Sequence, residues 1–506
     1  MKALASWIAV AGVVAVALPA EAWDWSPRLS VDGYMRVRGD VFSNFDLNRG
    51  PTPSTLEPIW PLPAATDVSY QTGMDMRIRF EPTLRVGRTG AVHLRVDVLD
   101  NVVLGSMPVG GGPYDGLATG QGFPSDSFRV KRAWAEVFLP FGVLAVGRMG
   151  ALVDWGTGMW VNAGDGIDDD FGDAGDRVVF TTSMLRHLWM MAYEFTASGA
   201  VQAPALPGEA PFDREPDDDA RTFAFAFARF STPQDVRRRN DAGRTTVNYG
   251  TVLALRFQDY ELEPPEGSDP GPEDAIERDL RVIGLDLWFR LSHRHFRLEL
   301  EGVYAHGEML ATTTPGFELV LPITSDQWGV VLQAAWEPET GFGADAEVGL
   351  ASGDDAPGFG VRVREDQIAT VPGDLDGPQF RYPEDRSIDN FRFHPNHRID
   401  LILWRRIIGT VTDAVYARAR AWYVWRSLRI ETWLVLSAAL RESSVPGDGR
   451  LLGLEWDTAL TWEYERGITI TGAYGLLIPF DGLANVELGL SPEVAHAGHV
   501  VLAWSF

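Results

Sequence analysis

The chain has 506 residues with 18 Trp, 52 Gly and no Cys, is 45% hydrophobic, and carries a formal net charge of -26 at pH 7. A balance this acidic disfavours nucleic acid as a partner. Mean hydropathy near zero, with no apolar run long enough for a spanning helix beyond the N-terminus, argues against a bundle of membrane helices. The lack of Cys permits passage unfolded through an oxidising compartment.

Met1 and Lys2 precede an apolar run over residues 7–18 and then Ala20-Glu21-Ala22, the small-x-small pattern that signal peptidase cuts. The run is too short to cross a bilayer as a helix, so residues 1–22 are expected to be an export signal and 23–506 the mature domain, starting at Trp23. From there apolar and polar residues alternate for almost the whole length, and period two means strands. In chain order they are expected at 28–42, 69–86, 91–104, 126–139, 143–150, 176–183, 187–196, 219–230 and 244–258. The second half adds 277–291, 295–307, 325–337, 342–352, 411–424, 428–440, 451–464, 468–478 and 493–506. The alternation is clearest where Leu452, Leu454, Trp456, Leu460 and Trp462 oppose Glu455, Asp457, Thr461 and Glu463, and where Phe296, Leu298, Leu300 and Tyr304 oppose Arg297, Glu299 and Glu301.

The connections alternate between long and short. Short links fall at 87–90, 140–142, 292–294, 338–341, 425–427 and 465–467, the long ones are rich in Gly, Pro and Asp, and only 231–243 breaks the short series. Tight turns on one side, long loops on the other and an even strand count describe an all-β fold, a transmembrane antiparallel β-barrel of about 18 strands with short periplasmic turns and long acidic extracellular loops. A soluble sandwich or propeller would also alternate, and face assignment alone does not separate the two. The export signal, the loop asymmetry and the last strand favour the barrel.

That last strand puts Val500, Leu502, Trp504 and Phe506 on one face and His499, Ala503 and Ser505 on the other. It resembles the C-terminal insertion signal of bacterial outer-membrane β-barrels, which ends in Phe with apolar residues at every second position before it. The resemblance implies delivery by the barrel assembly machinery and a home among outer-membrane lipid and lipopolysaccharide. Ala351-Ser352-Gly353-Asp354 is similar to a strand end of alginate-export-type barrels, and Phe391-Arg392-Phe393-His394-Pro395 through Gly409-Thr410-Val411-Thr412 resembles an uncharacterised family of deltaproteobacterial barrels. Neither supplies a substrate residue.

A barrel of about 18 strands is too wide for its own side chains to fill, so it encloses water unless loops plug it. Strand pairing stacks Arg36 and Arg38, beside Asp32 and Asp40, next to Arg77 and Arg79, and then His93, Arg95 and Asp97, into a basic ladder on one wall. Glu299, Glu301, Asp345, Glu347, Glu455, Asp457 and Glu463 make the opposite wall mainly acidic, so a transverse field is expected across the pore. The third long loop, 151–175, carries Asp154, Asp165, Asp168, Asp169, Asp170 and Asp173 with no Lys or Arg. In position it is similar to the loop that folds into general porins and narrows them. That similarity implies a constriction in which Asp165, Asp168, Asp169, Asp170 and Asp173 face Arg36, Arg38, Arg77, Arg79 and Arg95, with charged rings setting selectivity. The plainer alternative is that lumen charges only solvate the wall and surface acids bridge divalent ions between lipopolysaccharides. Calcium binding by the same acids is disfavoured, because the spacing lacks the Gly and terminal Glu of an EF-hand loop.

The longest loop, 354–409, is too long to be idle padding. Its partly amphipathic stretch 398–408 reads as a short helix plugging the lumen or lying over its mouth; the preferred, plainer reading is an exterior loop or an upward extension of the fourteenth strand. His394 and His397 flank a Pro without a third ligand, so no metal is assigned. No Gly-x-Ser-x-Gly, Walker loop or His-Glu-x-x-His is present, so neither catalysis nor a cofactor is expected. The sequence reading is an outer-membrane porin-like channel for diffusion of small polar solutes or ions. A polysaccharide exporter or surface-assembly barrel, and a plugged receptor or adhesion barrel, are the alternatives. A homo-oligomer is compatible with all three.

Overall fold

Alternation alone leaves the strand order open; hydrogen-bond register fixes it. A computed structural model of the chain describes residues 27–506 except 63–68, 105–127, 152–154, 200, 203–205, 207, 209–211, 214–215, 263–274, 311–321, 364–366, 368, 382–383 and 465–466. The expected export signal 1–22, Trp23 and Asp154 lie outside the described residues.

The first strands are β1 (Pro27–Ser43), β2 (Tyr70–Val86), β3 (Gly90–Val103), β4 (Phe128–Leu139), β5 (Gly142–Gly150), β6 (Ala174–Met184) and β7 (His187–Ala197). A two-stranded hairpin, β8 (Val201–Gln202) and β9 (Phe212–Asp213), sits in the next loop, outside the barrel sheet. There follow β10 (Ala220–Arg229), β11 (Thr246–Leu262), β12 (Ala275–His293), β13 (Phe296–Leu310), β14 (Pro322–Trp336) and β15 (Gly341–Ala351). The chain ends with β16 (Ala414–Trp425), β17 (Leu428–Ala439), β18 (Leu451–Tyr464), β19 (Ile468–Pro479) and β20 (Ala495–Ser505). Each barrel strand pairs antiparallel with its sequence neighbours, and β1 pairs with β20 from Tyr34↔Ser505 to Ser43↔His496, closing one 18-stranded sheet.

Closure leaves two faces. Outward positions carry exposed Leu285, Leu287 and Phe289 on β12, Leu434 and Leu436 on β17, and Val500, Leu502 and Trp504 on β20. Exposed aromatics such as Phe141, Trp336, Tyr423, Trp425 and Tyr464 gather at the short-turn side. An apolar belt ending in aromatics around a closed barrel is the surface of a transmembrane barrel of the outer membrane.

The long link 231–243 holds a helix: Pro233 at the first helical position and the Thr232 side chain, which accepts from the Asp235 N–H, start α1 (Pro233–Asp241). One local expectation needs correction. Leu452, expected outward with Leu454 and Trp456, is buried, because the register shifts between Ser437 and Ala438 and the bulge turns that end of β18 over.

The lumen is not a plain water column. Phe359, Phe393, Ile399, Ile402, Leu403 and Trp404 of the loop 352–413 pack with Leu47 and Met159 of other loops and with Val331, Tyr416 and Val435 of the wall, all buried to 2% exposure or less. The preferred exterior-loop reading of 398–408 is therefore overturned: its apolar residues turn inward, and 403–408 forms a π-helical turn in which Ile407 N–H donates to the Ile402 carbonyl (2.9 Å). The physical reason is a wall acceptor. Glu455, lumen-facing on β18, accepts from the backbone N–H groups of Leu401 (2.9 Å), Ile402 (2.7 Å) and Leu403 (3.0 Å), which satisfies an otherwise orphaned turn.

Candidate functional site: an acidic loop docked on an arginine ladder

The register that closes the barrel also creates a problem of like charges. Arg36 on β1 lies opposite Arg77 on β2, and Arg95 on β3 opposite Arg132 on β4. Directly opposed like charges destabilise a sheet. The wall's own acids relieve part of this: Asp97 holds Arg79 with two bonds (2.7 and 2.9 Å), Asp100 holds Arg77 (2.6 Å) and Lys131 (2.6 Å), and Asp75 holds Arg38 (3.0 Å).

The third loop, 151–173, supplies the remainder. Asp170 reaches Arg36 (3.1 Å), Arg77 (3.1 Å) and Arg38 (2.8 Å), so one carboxylate sits on an opposed arginine pair. Asp165 does the same for Arg95 (2.6 Å) and Arg132 (3.5 Å). Backbone carbonyls complete the docking: Ile167 accepts from Arg36, Asp169 from Arg77, Gly164 from Arg79 and Ala163 from Arg132. The Asp169 and Asp173 carboxylates accept bonds from within the loop. The Asp169 carboxylate accepts from Gly166 N–H (2.9 Å) and that of Asp173 from Asn162 N–H (2.7 Å), shaping the loop itself. Acids and bases are thus in contact, not separated by an aperture, and Arg36, Arg38, Arg77, Arg79 and Arg95 are all buried.

Asp168 joins the two inward loops. It receives Arg398 (2.7 Å) and Arg405 (2.6 Å) from 352–413, Arg38 (3.1 Å) from β1 and His499 (3.3 Å) from β20. Arg406 reaches Asp40 (3.2 Å), which His499 also contacts (2.7 Å). Burial alone would raise the Asp168 carboxyl, but His499, Arg405 and Arg398 hold it far below the usual carboxylate range. Asp170 is likewise held well down, against its burial, by Arg38 and Arg36. Asp400 goes the other way: burial pushes it up to about 6, although Trp404 and Arg405 N–H groups donate to it.

The far end of the third loop crosses to the other wall. Trp155 donates its indole N–H to Asp286 (2.9 Å), and Thr157 donates its hydroxyl to Glu301 (2.6 Å). Here the expectation of a mainly acidic wall needs correction at three of its seven acids, which stand beside bases that the strand-by-strand reading did not weigh. Asp345 lies opposite Arg420 (2.5 Å), Glu347 opposite Arg418 (2.7 Å), and Glu299 takes Arg290 (2.6 Å) and Arg297 (2.6 Å). His394 and His397 do not converge on a common ligand position: the His394 ring accepts from Asn396 N–H (3.1 Å), while His397 lies against Glu347 (3.4 Å) and Tyr416 (3.3 Å).

Beyond the two loops the lumen keeps space. A cavity of about 280 Å³ lies between Asp168, Arg398, Arg405 and the wall residues Arg418, Trp433 and His499. On β7, β10 and β11 the lumen-facing row Ala192, Ala224 and Ala254, with Ala226 and Val252 beside it, stays half-buried, unlike the ladder. Of the last-strand residues, Val500, Leu502, Trp504 and Phe506 are all exposed on the outer face, and Phe506 exchanges two backbone hydrogen bonds with Gly33 (3.0 Å each).

Arg132, Lys131, Asp75, Asp100, Arg398, Arg405 and His499 belong to this site and were missed from sequence. The first four sit on ladder strands and were legible in principle from pairing register. Arg398 and Arg405 depend on how a long loop folds, whereas His499 lies on β20 opposite Asp40.

No family model matches the chain, and no curated protein does. Among solved structures, OccK9 (OpdG) of Pseudomonas aeruginosa is 12% identical over 96% of this chain and 100% of its own, with a TM-score of 0.48. OccK11 (OpdR) of the same organism is 11% identical over 96% and 97%, with a TM-score of 0.46. A BenF-like porin from Pseudomonas fluorescens Pf-5 is 8% identical over 94% and 98%, with a TM-score of 0.45.

Proposed function

We propose that this barrel is a channel for passive diffusion of small polar solutes or ions across the outer membrane, with the third loop as a strap that narrows it and sets its charge preference. The observation that carries this reading is the contrast inside the lumen: the ladder is buried beneath the loop, whereas the small side chains of β7, β10 and β11 keep exposure and leave room for water. On this account the arginines act mainly by holding the strap in place, and selectivity is set by which charges the strap leaves uncovered.

The experiment is single-channel recording in planar bilayers. Discrete conductance steps are expected from the purified protein, and neutralising Arg36, Arg38, Arg77 and Arg79 together should enlarge them and change ion selectivity. No steps, or selectivity untouched by the fourfold change, would sink the proposal. A plugged receptor or adhesion barrel is the second reading, favoured by the buried apolar core that the loop 352–413 builds inside the wall. It predicts no steps in the wild type and steps once 398–408 is released. An exporter of anionic polymer would require the third loop to swing away and uncover the ladder.

A further inference from the structure

The far end of the third loop rests on glycines of the wall. The Trp155 ring lies over Gly250 on β11, where a Cβ would come within 2.6 Å of it, and Trp160 lies over Gly284 on β12, where the distance would be 3.0 Å. Gly156 holds φ at +62°, and a Cβ there would run into the Glu301 carboxyl.

Two acids receive this seat. Asp286 on β12 and Glu301 on β13 share the lumen face across one diagonal of the sheet, since Glu301 pairs with Trp288, two residues along β12 from Asp286. Both are 0% exposed. Trp155 donates to Asp286 Oδ1 and the Thr157 hydroxyl to Glu301 Oε2, and the two carboxyls lie against each other. One oxygen remains on each, Asp286 Oδ2 and Glu301 Oε1, buried and without a donor. Arg290, on the same strand as Asp286, is held by Glu299 (2.6 Å), and neither acid of the pair has an ion pair among the described residues. Two ionised carboxylates in contact, buried and without a cation, repel and forgo hydration. One proton between them removes a charge and supplies the donor that both spare oxygens lack.

We infer that Asp286 and Glu301 bind one shared proton, and that this proton locks the far end of the third loop onto the wall. Opening the seat admits water, releases the proton to it and leaves two hydrated carboxylates; closing takes the proton up again. The seat therefore loosens as pH rises, with one proton released per opening. Beyond the Arg290 and Glu299 pair, the surrounding elements bring one other titratable group: His397, whose ring lies against the Thr157 carbonyl (3.3 Å) and Glu347 (3.4 Å). At this level β11 presents Val252 and β14 presents Val331, both uncharged. Any effect on conductance rests on the channel reading above, whereas the proton site is measurable without current.

Infrared spectra of the purified barrel in detergent, taken as wild type minus Asp286→Asn, should show the carbonyl stretch of a protonated carboxyl at about pH 7, where a free carboxyl of pKa about 4 is ionised. Hydrogen exchange over 155–160, which includes the Thr157 amide that donates to Glu301, should quicken in the wild type as pH rises above neutrality. After correction for intrinsic rates the rise is up to about tenfold per pH unit, the limit for one proton. Glu301→Gln, whose amide donates to Asp286 in the proton's place, should flatten that rise, and His397→Gln should leave it. The wild-type exchange profile needs no variant, so it stands even if a substitution impairs folding. No carboxyl band in the difference, exchange that is flat or slower with rising pH, or a rise that His397→Gln abolishes would each overturn the proposal. Loss of the band on adding calcium chloride at constant pH would make the pair a cation site instead. A barrel that shows the band and the rise but passes no current would keep the proton site and remove only the channel reading.

Discussion

Replacing Asp170 with Asn removes one charge from a point where three buried guanidiniums meet. Arg36 and Arg77 are 0% and 1% exposed and Arg38 is 5% exposed, so water cannot replace the carboxylate while the loop stays docked. Breaking a buried ion pair by removing one partner costs about 3–5 kcal/mol. Asp170 is itself 20% exposed and Asp168 still reaches Arg38, so the lower end applies, about 3 kcal/mol. That shifts the ratio of docked to undocked loop by roughly a hundredfold. Limited proteolysis of 151–173 should then speed up markedly, and single-channel records should become larger and noisier. Adding Arg77→Met to Asp170→Asn should recover part of the protection, because the opposed charge is removed with its partner. Wild-type protection in Asp170→Asn, or no recovery in the double variant, would refute the view that charge neutralisation holds the strap.

Glu455→Ala should loosen the inward turn, since three backbone donors lose their acceptor and each unsatisfied donor costs about 1–3 kcal/mol; faster hydrogen exchange over 398–408 reports it, with Glu455→Gln intermediate. The Asp400 carboxyl is raised to about 6 from an ordinary value of 3.8, so it binds its proton more tightly in the folded turn. Its contribution is full below about pH 4 and is lost as pH rises through about 6. Exchange over 398–408 should therefore be slower, after correction for intrinsic rates, at pH 5 than at pH 7; the reverse order would remove Asp400 from the account. The depressed Asp168 and Asp170 contribute in the opposite sense and weaken only as pH falls below the usual carboxylate range. Leu185 and Arg186 both hold positive φ (55° and 65°) in the β6–β7 hairpin, where Asn-Gly is the favoured pair. Leu185→Asn with Arg186→Gly should raise thermal stability by about 1 kcal/mol, read from the melting transition. Deleting residues 504–506 removes Trp504, the Phe506–Gly33 pair and the outer contact of Phe506 with Phe80, so heat-modifiable, fully closed barrel should fall sharply.

The strands were legible because a half-lipid, half-lumen wall forces strict period two, and the strand boundaries expected from that period lie close to those of the fold. Where period two broke, so did the reading: the bulge near Ala438 turned Leu452 inward, and nine residues of α1 hid in a link with no apolar face. The arginine ladder was visible because Arg36, Arg77, Arg79 and Arg95 share one face by parity. What parity could not show was contact. Whether Asp170 stands across water from Arg36 or upon it depends on loop coordinates, and loops have no period. The course of 398–408 was misjudged for the same reason: its acceptor, Glu455, lies more than fifty residues away on another strand. The acidic wall was over-read because Arg418 and Arg420 were not paired with Glu347 and Asp345, a register that the long loop after β15 leaves undetermined from sequence.

In the proposed channel a loop docked on an arginine ladder narrows an open passage. The decisive measurement is single-channel conductance with ion selectivity, recorded for the wild type and for the variant neutralised at Arg36, Arg38, Arg77 and Arg79. Small steps in the wild type that grow and change selectivity in the variant are the expected result. A silent wild type, or identical steps in both proteins, would contradict it.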